Sequence, residues 1–229
     1  MKKYKIIKRS SGIYWKVQRL LSLPPKDKKL ENFVKRVFEM QPIIYQIRSE
    51  ILSLVKQIKK LSPKRVLEIG GRPGGALAIF AQASAKNAKI LSLDIKYSPA
   101  RMKVLSSLAK PQQNIKCMRA DSHSQATKKK ILKWLGQEKL DFLFIDGDHT
   151  FEGVAKDYKM YAPLVRKDGI IAFHDIVPDN KTRYGKKTDH YTGGVPLFWA
   201  KLKKEHLKAI EFIEDTDQDG FGIGLIRKK

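Results

Sequence analysis

The chain has 229 residues, with 47 Lys and Arg against 23 Asp and Glu, a formal net charge of +24 and a single cysteine, Cys117. That length suits one sizeable α/β core, and a lone cysteine excludes a disulfide framework or a multi-cysteine zinc site. No apolar stretch reaches the roughly 18–20 residues that span a bilayer, and no uninterrupted signal-type core opens the chain, so a cytoplasmic protein is expected. The charge admits nucleic acid, an anionic membrane surface or an acidic substrate. It is mostly lysine spread along the whole chain, however, which suits a solvated surface better than a phosphate face built on arginine.

In chain order, residues 1–21 carry seven basic and no acidic side chains, interleaved with Tyr4, Ile6, Ile7, Ile13, Tyr14, Trp15, Val17, Leu20 and Leu21. This reads as a basic amphipathic arm that either meets a membrane or RNA, or packs on the core or on a second copy of the chain. Pro24-Pro25 breaks it, and Asp27 is a candidate cap for a helix over LENFVKRVFEM. From Pro42, IIYQIRSEILSLVKQIKKL has helical periodicity up to Ser62-Pro63. Residues 1–61 are thus read as a basic arm and helical cap, and 62–229 as the main domain.

RVLEIGGRPGGAL, Arg65 to Leu77, then reads as buried strand, tight turn and helix. Glycines let backbone approach a ligand, and the following helix offers unpaired N–H groups. The dinucleotide fingerprint would need Gly where Arg72 stands, and the phosphate loop lacks its Lys-Ser/Thr. Glu68-Ile69-Gly70 with Gly71, Gly74 and Gly75 instead fits a loop that wraps an adenosyl amino acid.

Strands and helices alternate beyond it. KILSLDI, closed by Asp94, is the second strand, and NIKCMRADS, ending at Asp121-Ser122, the third, with a helix over KKKILKWLGQ. LDFLFIDGDH is the fourth and GIIAFHDI the fifth, joined by a crossover helix from Phe151 to Val165. After a polar stretch from Asp179 to Thr192, GGVPLFWAKLK is helical, and AIEFIED and FGIGLIRKK close as an antiparallel pair. The expected fold is α/β, a doubly wound, mostly parallel sheet of about seven strands with an N-terminal helical extension.

Ligands in such sheets sit beyond the carboxyl ends of the strands, and a carboxylate at Asp94's offset is where a ribose diol binds. In a chain this poor in acids, Glu68, Asp94, Asp121, Asp146, Asp148 and Asp175 fall at successive strand ends, with His149 and His174 beside them. If the fourth and fifth strands are neighbours, Asp146, His174 and Asp175 converge and suit a divalent cation, Mg²⁺ foremost, with Mn²⁺ or Fe²⁺ as alternatives. Equally, Asp146 holds a ligand ammonium, His174 bonds to backbone and Asp175 caps a loop. His149 is a candidate general base, since a neutral imidazole near pH 7 accepts a hydroxyl proton.

LEIGGRPGGAL, FIDGDHTFEGVAKDYKMYAPLVRKDGIIAFHDI and GGVPLFWAKL resemble class I S-adenosylmethionine-dependent methyltransferases, the branch grouped with cephalosporin-hydroxylase-like and sugar or macrolide O-methyltransferases. The likeness covers roughly Ser62 to Lys229. It implies a Rossmann-like methyltransferase domain with S-adenosylmethionine over Gly70 to Gly75, Asp94 on the ribose and Asp121-Ser122 beside the adenine. It also implies a metal at Asp146 and Asp175 in metal-dependent members, which tend to carry a carboxylate where this chain has His174. The expected reaction is in-line attack of a small-molecule or glycan hydroxyl on the sulfonium methyl, with Tyr184, His190 and Tyr191 forming a lid. An RNA-associated methyltransferase or RNA-binding protein is the alternative, and a metal-dependent hydroxylase a third.

Overall fold

The computed structural model describes residues 11–24, 29–40 and 43–229. The proposed cap Asp27 and the breaks at Pro25 and Pro42 lie outside them. Three helices come first, α1 (Ser11–Leu21), α2 (Leu30–Glu39) and α3 (Arg48–Leu61). Then follow β1 (Arg65–Ile69), α4 (Gly75–Ala83), β2 (Lys89–Leu93), α5 (Pro99–Ser106), β3 (Asn114–Met118), α6 (Gln125–Leu135), β4 (Leu140–Ile145), α7 (Phe151–Tyr161) and β5 (Val165–His174). The chain closes with a short α8 (Asn180–Tyr184), α9 (Val195–Glu205), β6 (Ile210–Phe212) and β7 (Ile223–Arg227).

The seven strands form one sheet in the order β3-β2-β1-β4-β5-β7-β6. The first five are parallel, while β7 runs antiparallel between β5 and β6. Strand order reverses between β1 and β4, and that switch point leaves a crevice at the carboxyl ends where no crossover covers the sheet. Both faces are covered, which is why β1, β2 and β4 read as continuous apolar runs rather than alternating ones. The helices α1 to α5 cover one face, and α6, α7 and α9 the other.

In α3, Ile51, Leu54, Val55 and Ile58 recur at helical spacing and are all buried against the sheet. The arm follows the same logic where it is described, because α1 buries Val17 and Leu20 in the same core and leaves Trp15 outside. No helix among the described residues is long and apolar enough to cross a membrane.

The sequence reading differs from the structure in several places, among them the crossover helix, which stops at Tyr161 because β5 already begins at Val165, and the polar stretch, which contains α8. The helix expected from Pro42 begins only at Arg48, because residues 43–47 are irregular, with bends at Ile43 and Gln46, and the Ile43 carbonyl is spent on the free N–H of Gly75 (2.7 Å) at the start of α4. The third strand stops at Met118, so Asp121 and Ser122 lie on the loop beyond it. Helix α5 went unread, although Ser98-Pro99 is a start signal, and Ser98 Oγ accepts from the Arg101 N–H at 3.2 Å.

Helix α7 leaves the site through a similar cap, Thr150 Oγ1 accepting from the Gly153 N–H at 2.9 Å. Thr150→Ala is expected to cost about 1 kcal/mol in urea unfolding, with Thr150→Ser restoring most of it.

Candidate functional site

A cavity of about 520 Å³ opens at the switch point. It is lined by Gly70 from the β1 turn, Asp94 and Lys96 after β2, Asp121, Ser122 and His123 after β3, and Asp146 to His149 after β4. Each follows the last residue of a parallel strand, where the chain must turn and its polar groups escape the core.

Asp94 is held in place by two backbone N–H groups. Its Oδ2 accepts from the Arg72 N–H (3.0 Å) and its Oδ1 from the Lys96 N–H (2.7 Å), which fixes the carboxylate and leaves lone pairs toward the cavity. Asp121 Oδ1 takes the His123 N–H at 2.8 Å, shaping the loop after β3.

Of the glycines expected to cradle a ligand, only Gly70 lines the cavity. The others pack against the protein. A Cβ on Gly71 would meet Ser92 and Tyr97, one on Gly74 would meet Leu105, and one on Gly75 would meet Ile43 and Ile44. Glu68 also lies behind the cavity, 1 % exposed, accepting from the Ser92 hydroxyl, which in turn lies 2.8 Å from the Tyr97 hydroxyl. The expectation that Glu68 touches the ligand is therefore corrected. Its strand alternation points it under α4 and β2, not out of the sheet.

A second cavity of about 380 Å³ adjoins the first, and Arg72, Asp146, His149 and Tyr191 belong to both walls. Its other walls are Tyr45, Gln46, His174, Asp175, Asp189, His190 and Phe221. Of the three lid residues read from the sequence, His190 and Tyr191 are here. Tyr184 is not, lying instead under Lys186. Tyr45 and Gln46 come from the N-terminal segment, and Gln46 Nε2 donates to Asp146 Oδ2 at 3.0 Å. Nothing in sequence spacing marks a residue a hundred positions before its partner as part of the site.

Where the cavities meet, two carboxylates and two imidazoles form a closed ring. His149 Nε2 is 3.5 Å from Asp146 Oδ1 and His149 Nδ1 is 3.3 Å from Asp175 Oδ2. His174 Nδ1 is 3.3 Å from Asp146 Oδ1 and 3.2 Å from Asp175 Oδ1. Convergence of Asp146 and Asp175 follows from the β4/β5 pairing, with Ile145 opposite Phe173.

The ring sets the charges. Burial works against ionising Asp146, but the two imidazoles outweigh it and hold the carboxyl down at about 2. Burial likewise opposes protonation of His149, yet the hydrogen bond and charge of Asp146, with Asp175 and the Tyr191 carbonyl, raise it to about 9. His174 is raised well above an ordinary imidazole, burial again being overcome by Asp175 and Asp146. In the ligand-free ring the two carboxylates thus favour the protonated form of both imidazoles. The neutral His149 read from the sequence as a base is reached only once it gives up that proton.

The atoms that converge as a candidate cation set are those of Asp146, His149 and Asp175, all within 4.8 Å of one another. The sequence reading had placed His174 in that set and His149 in the catalytic role. The difference arises because His149 follows the turn after β4 and swings back between the two carboxylates. Buried His174 approaches the same carboxylates from the core side, while its Nε2 has no hydrogen-bond partner.

Residues 67–176 match the family described as a methyltransferase domain. The fold is shared with an O-methyltransferase from Bacillus cereus solved in complex with SAH (14% identity, TM-score 0.60, covering 93% of this chain and 95% of that one). It is shared as well with the O-methyltransferase TomG from Streptomyces achromogenes, involved in tomaymycin synthesis and solved with SAM (17%, 0.56, 95% and 96%). The N-methyltransferase NodS from Bradyrhizobium japonicum is also similar (13%, 0.51, 77% and 94%), so the fold alone leaves the acceptor atom open.

Proposed function

We infer that this chain, an S-adenosylmethionine-dependent methyltransferase by its matched domain and its fold, transfers the methyl group to a hydroxyl of a small molecule or glycan. The observation that carries the hydroxyl is the ring of Asp146, His149, His174 and Asp175 on the wall between the two cavities. An amine free base is already nucleophilic, whereas a hydroxyl needs a nearby acceptor or cation to favour its anion.

The first cavity fits the cofactor chemically. Asp94 stands at the ribose offset, Asp121 and Ser122 at the base end, and Gly70 is a position where a side chain would collide with the Asp146 carbonyl. S-adenosylmethionine, when bound, supplies a methyl group activated by a sulfonium sulphur. Asp94 orients the ribose and Gly70 admits the backbone approach. Asp146, ionised at pH 7 and steadied by Gln46, offers a carboxylate at the junction where an acceptor from the second cavity meets the methyl. Tyr45, Tyr191 and Phe221 supply flat walls that align a ring-shaped acceptor. His149 takes the acceptor's proton only after losing its own.

The donor set of Asp146, His149 and Asp175 also fits a divalent cation, two hard oxygens and an imidazole being usual for Mn²⁺, Fe²⁺ or Zn²⁺ and less so for Mg²⁺. Held there, such an ion supplies Lewis-acid polarisation of the acceptor oxygen. The RNA-associated alternative draws no support from the matched family or the similar folds.

Titration calorimetry with S-adenosylhomocysteine tests the core of this reading. Binding in the micromolar range is expected, with Asp94→Ala weakening it roughly thirtyfold through loss of a charge-assisted contact to the ribose. No binding by the wild type, or unchanged binding by the variant, sinks it. Thermal shift with Mn²⁺ and Mg²⁺ tests the ion: a rise with Mn²⁺ that Asp175→Ala removes is expected, and the same shift in both proteins counts against the site.

A further inference from the structure

Behind the base end of the first cavity lies a buried carboxylate that the mechanism above leaves unused. Asp157 sits on α7 with no exposed surface, and neither of its oxygens has a well-aligned hydrogen bond. His123, which lines the cavity, turns its Nε2 inward to lie 3.3 Å from Asp157 Oδ1 and 3.1 Å from the Gly153 carbonyl. A carboxylate and a carbonyl offer only lone pairs, so Nε2 carries the hydrogen and the ring is held in one tautomer and one orientation.

The helix holds this loop at further points. Gly153, Asp157 and Tyr161 follow one another at spacing four along one face of α7. Gly153 and Asp157 face His123, and the Tyr161 hydroxyl donates to the Ser122 carbonyl. Gly147, just past β4, completes the enclosure, since a Cβ there would stand 3.4 Å from Asp157 Oδ2. A helix that spends three positions of one face on two residues of a loop fixes that loop before any ligand arrives, and preorganisation of this kind lowers the cost of binding.

Burial raises the Asp157 carboxyl to about 6. The Ser122 hydroxyl and His123 pull against that rise, and Asp148 and Asp121 add to it. Its ionised form is therefore favoured by Ser122 and His123 alone, against burial and the two neighbouring carboxylates.

We propose that His123 is a further cofactor-binding residue forming the adenine-side wall of the cavity, and that Asp157 is a positioning residue acting through it. The proposal rests on the reading of this cavity as the S-adenosylmethionine site, and its test separates the two. Binding of S-adenosylhomocysteine and of adenosine is measured by calorimetry at pH 7.5 for the wild type, His123→Ala, His123→Asn, Asp157→Asn and Asp157→Ala, with melting temperatures alongside. Long-range nitrogen spectra of the histidine rings report the tautomer.

Both His123 variants are expected to lose roughly tenfold for both ligands alike, because adenosine carries the base end. Asp157→Asn is expected to lose a smaller factor, Asp157→Ala one close to His123→Ala, and both to show mixed tautomers at His123 where the wild type shows only Nε2–H. Should the wild type bind neither ligand, the cofactor reading itself falls. Should the wild type bind while the variants bind equally well, or lose melting temperature alone, the role of His123 and Asp157 is overturned. A loss for S-adenosylhomocysteine without a loss for adenosine overturns it too.

Discussion

Gly70→Ala is expected to abolish S-adenosylhomocysteine binding and to lower stability by more than about 3 kcal/mol. Gly70 has φ +84, and a Cβ there would lie 1.7 Å from the Asp146 carbonyl oxygen and 3.0 Å from the Gly147 nitrogen. Both are backbone atoms that no rotamer change can move aside. The turn cannot retreat either, since the N–H groups of Gly70 and Gly71 both donate to the Leu93 carbonyl, at 2.9 and 3.0 Å. Relief must come from parting the ends of β1 and β4, and those ends carry the cavity. Gly185→Ala is the control: φ is +65 but nothing lies within 4 Å, so only the left-handed backbone term of about 1 kcal/mol remains. Urea unfolding of both variants decides the matter, and equal losses would refute the account of the turn.

Glu68→Gln is expected to change the pH dependence of stability. Burial, with the charges of Asp146 and Asp94, raises the Glu68 carboxyl from 4.5 to about 8, the Ser92 hydroxyl only partly opposing. Between those values the unfolded chain has released the proton and the native protein still holds it, so the unfolded state binds fewer protons and stability falls as pH rises. The loss attributable to Glu68 is on the order of 3 kcal/mol across pH 5 to 8. Glutamine keeps the neutral shape without the titration. The variant should therefore gain on the wild type steadily from pH 5 to 8, as read by urea midpoints. The raised imidazoles His149 and His174 also lose stabilisation as pH rises past neutrality, but they are common to both proteins and cancel in the difference. A constant difference across the range would show that Glu68 is ionised in the folded state.

Much of the fold was legible because it is encoded locally. The runs RVLEI, KILSL and LDFLFI are too apolar for a half-exposed strand, and the spacing of Ile51, Leu54, Val55 and Ile58 admits only a helix with one buried side. The strand-end acids were legible for the same reason, since a carboxylate directly after an apolar strand must emerge at its carboxyl edge. Asp94, Asp146 and Asp175 do so, and Asp121, on the loop past the end of β3, joins them at a cavity wall. What escaped was the part made by distant segments. Gln46 and Tyr45 precede the matched domain, and Glu50 of α3, with 1 % exposure, accepts from the Gln218 side chain (2.7 Å) and the Gly222 N–H (3.0 Å), bracing the loop that carries Phe221.

The sequence by itself determined the α/β class, the glycine turn and the placing of polar residues at the strand ends, because turn chemistry and periodicity act over a few neighbours. Only the tertiary structure decided what each member does. Strand order 3-2-1-4-5 opened the crevice between β1 and β4, leaving Gly70 at the cavity while Gly71, Gly74 and Gly75 turned to the scaffold. Pairing of β4 with β5 set two carboxylates against two imidazoles, and that proximity, which no spacing along the chain expresses, raised His149 and His174 above an ordinary imidazole.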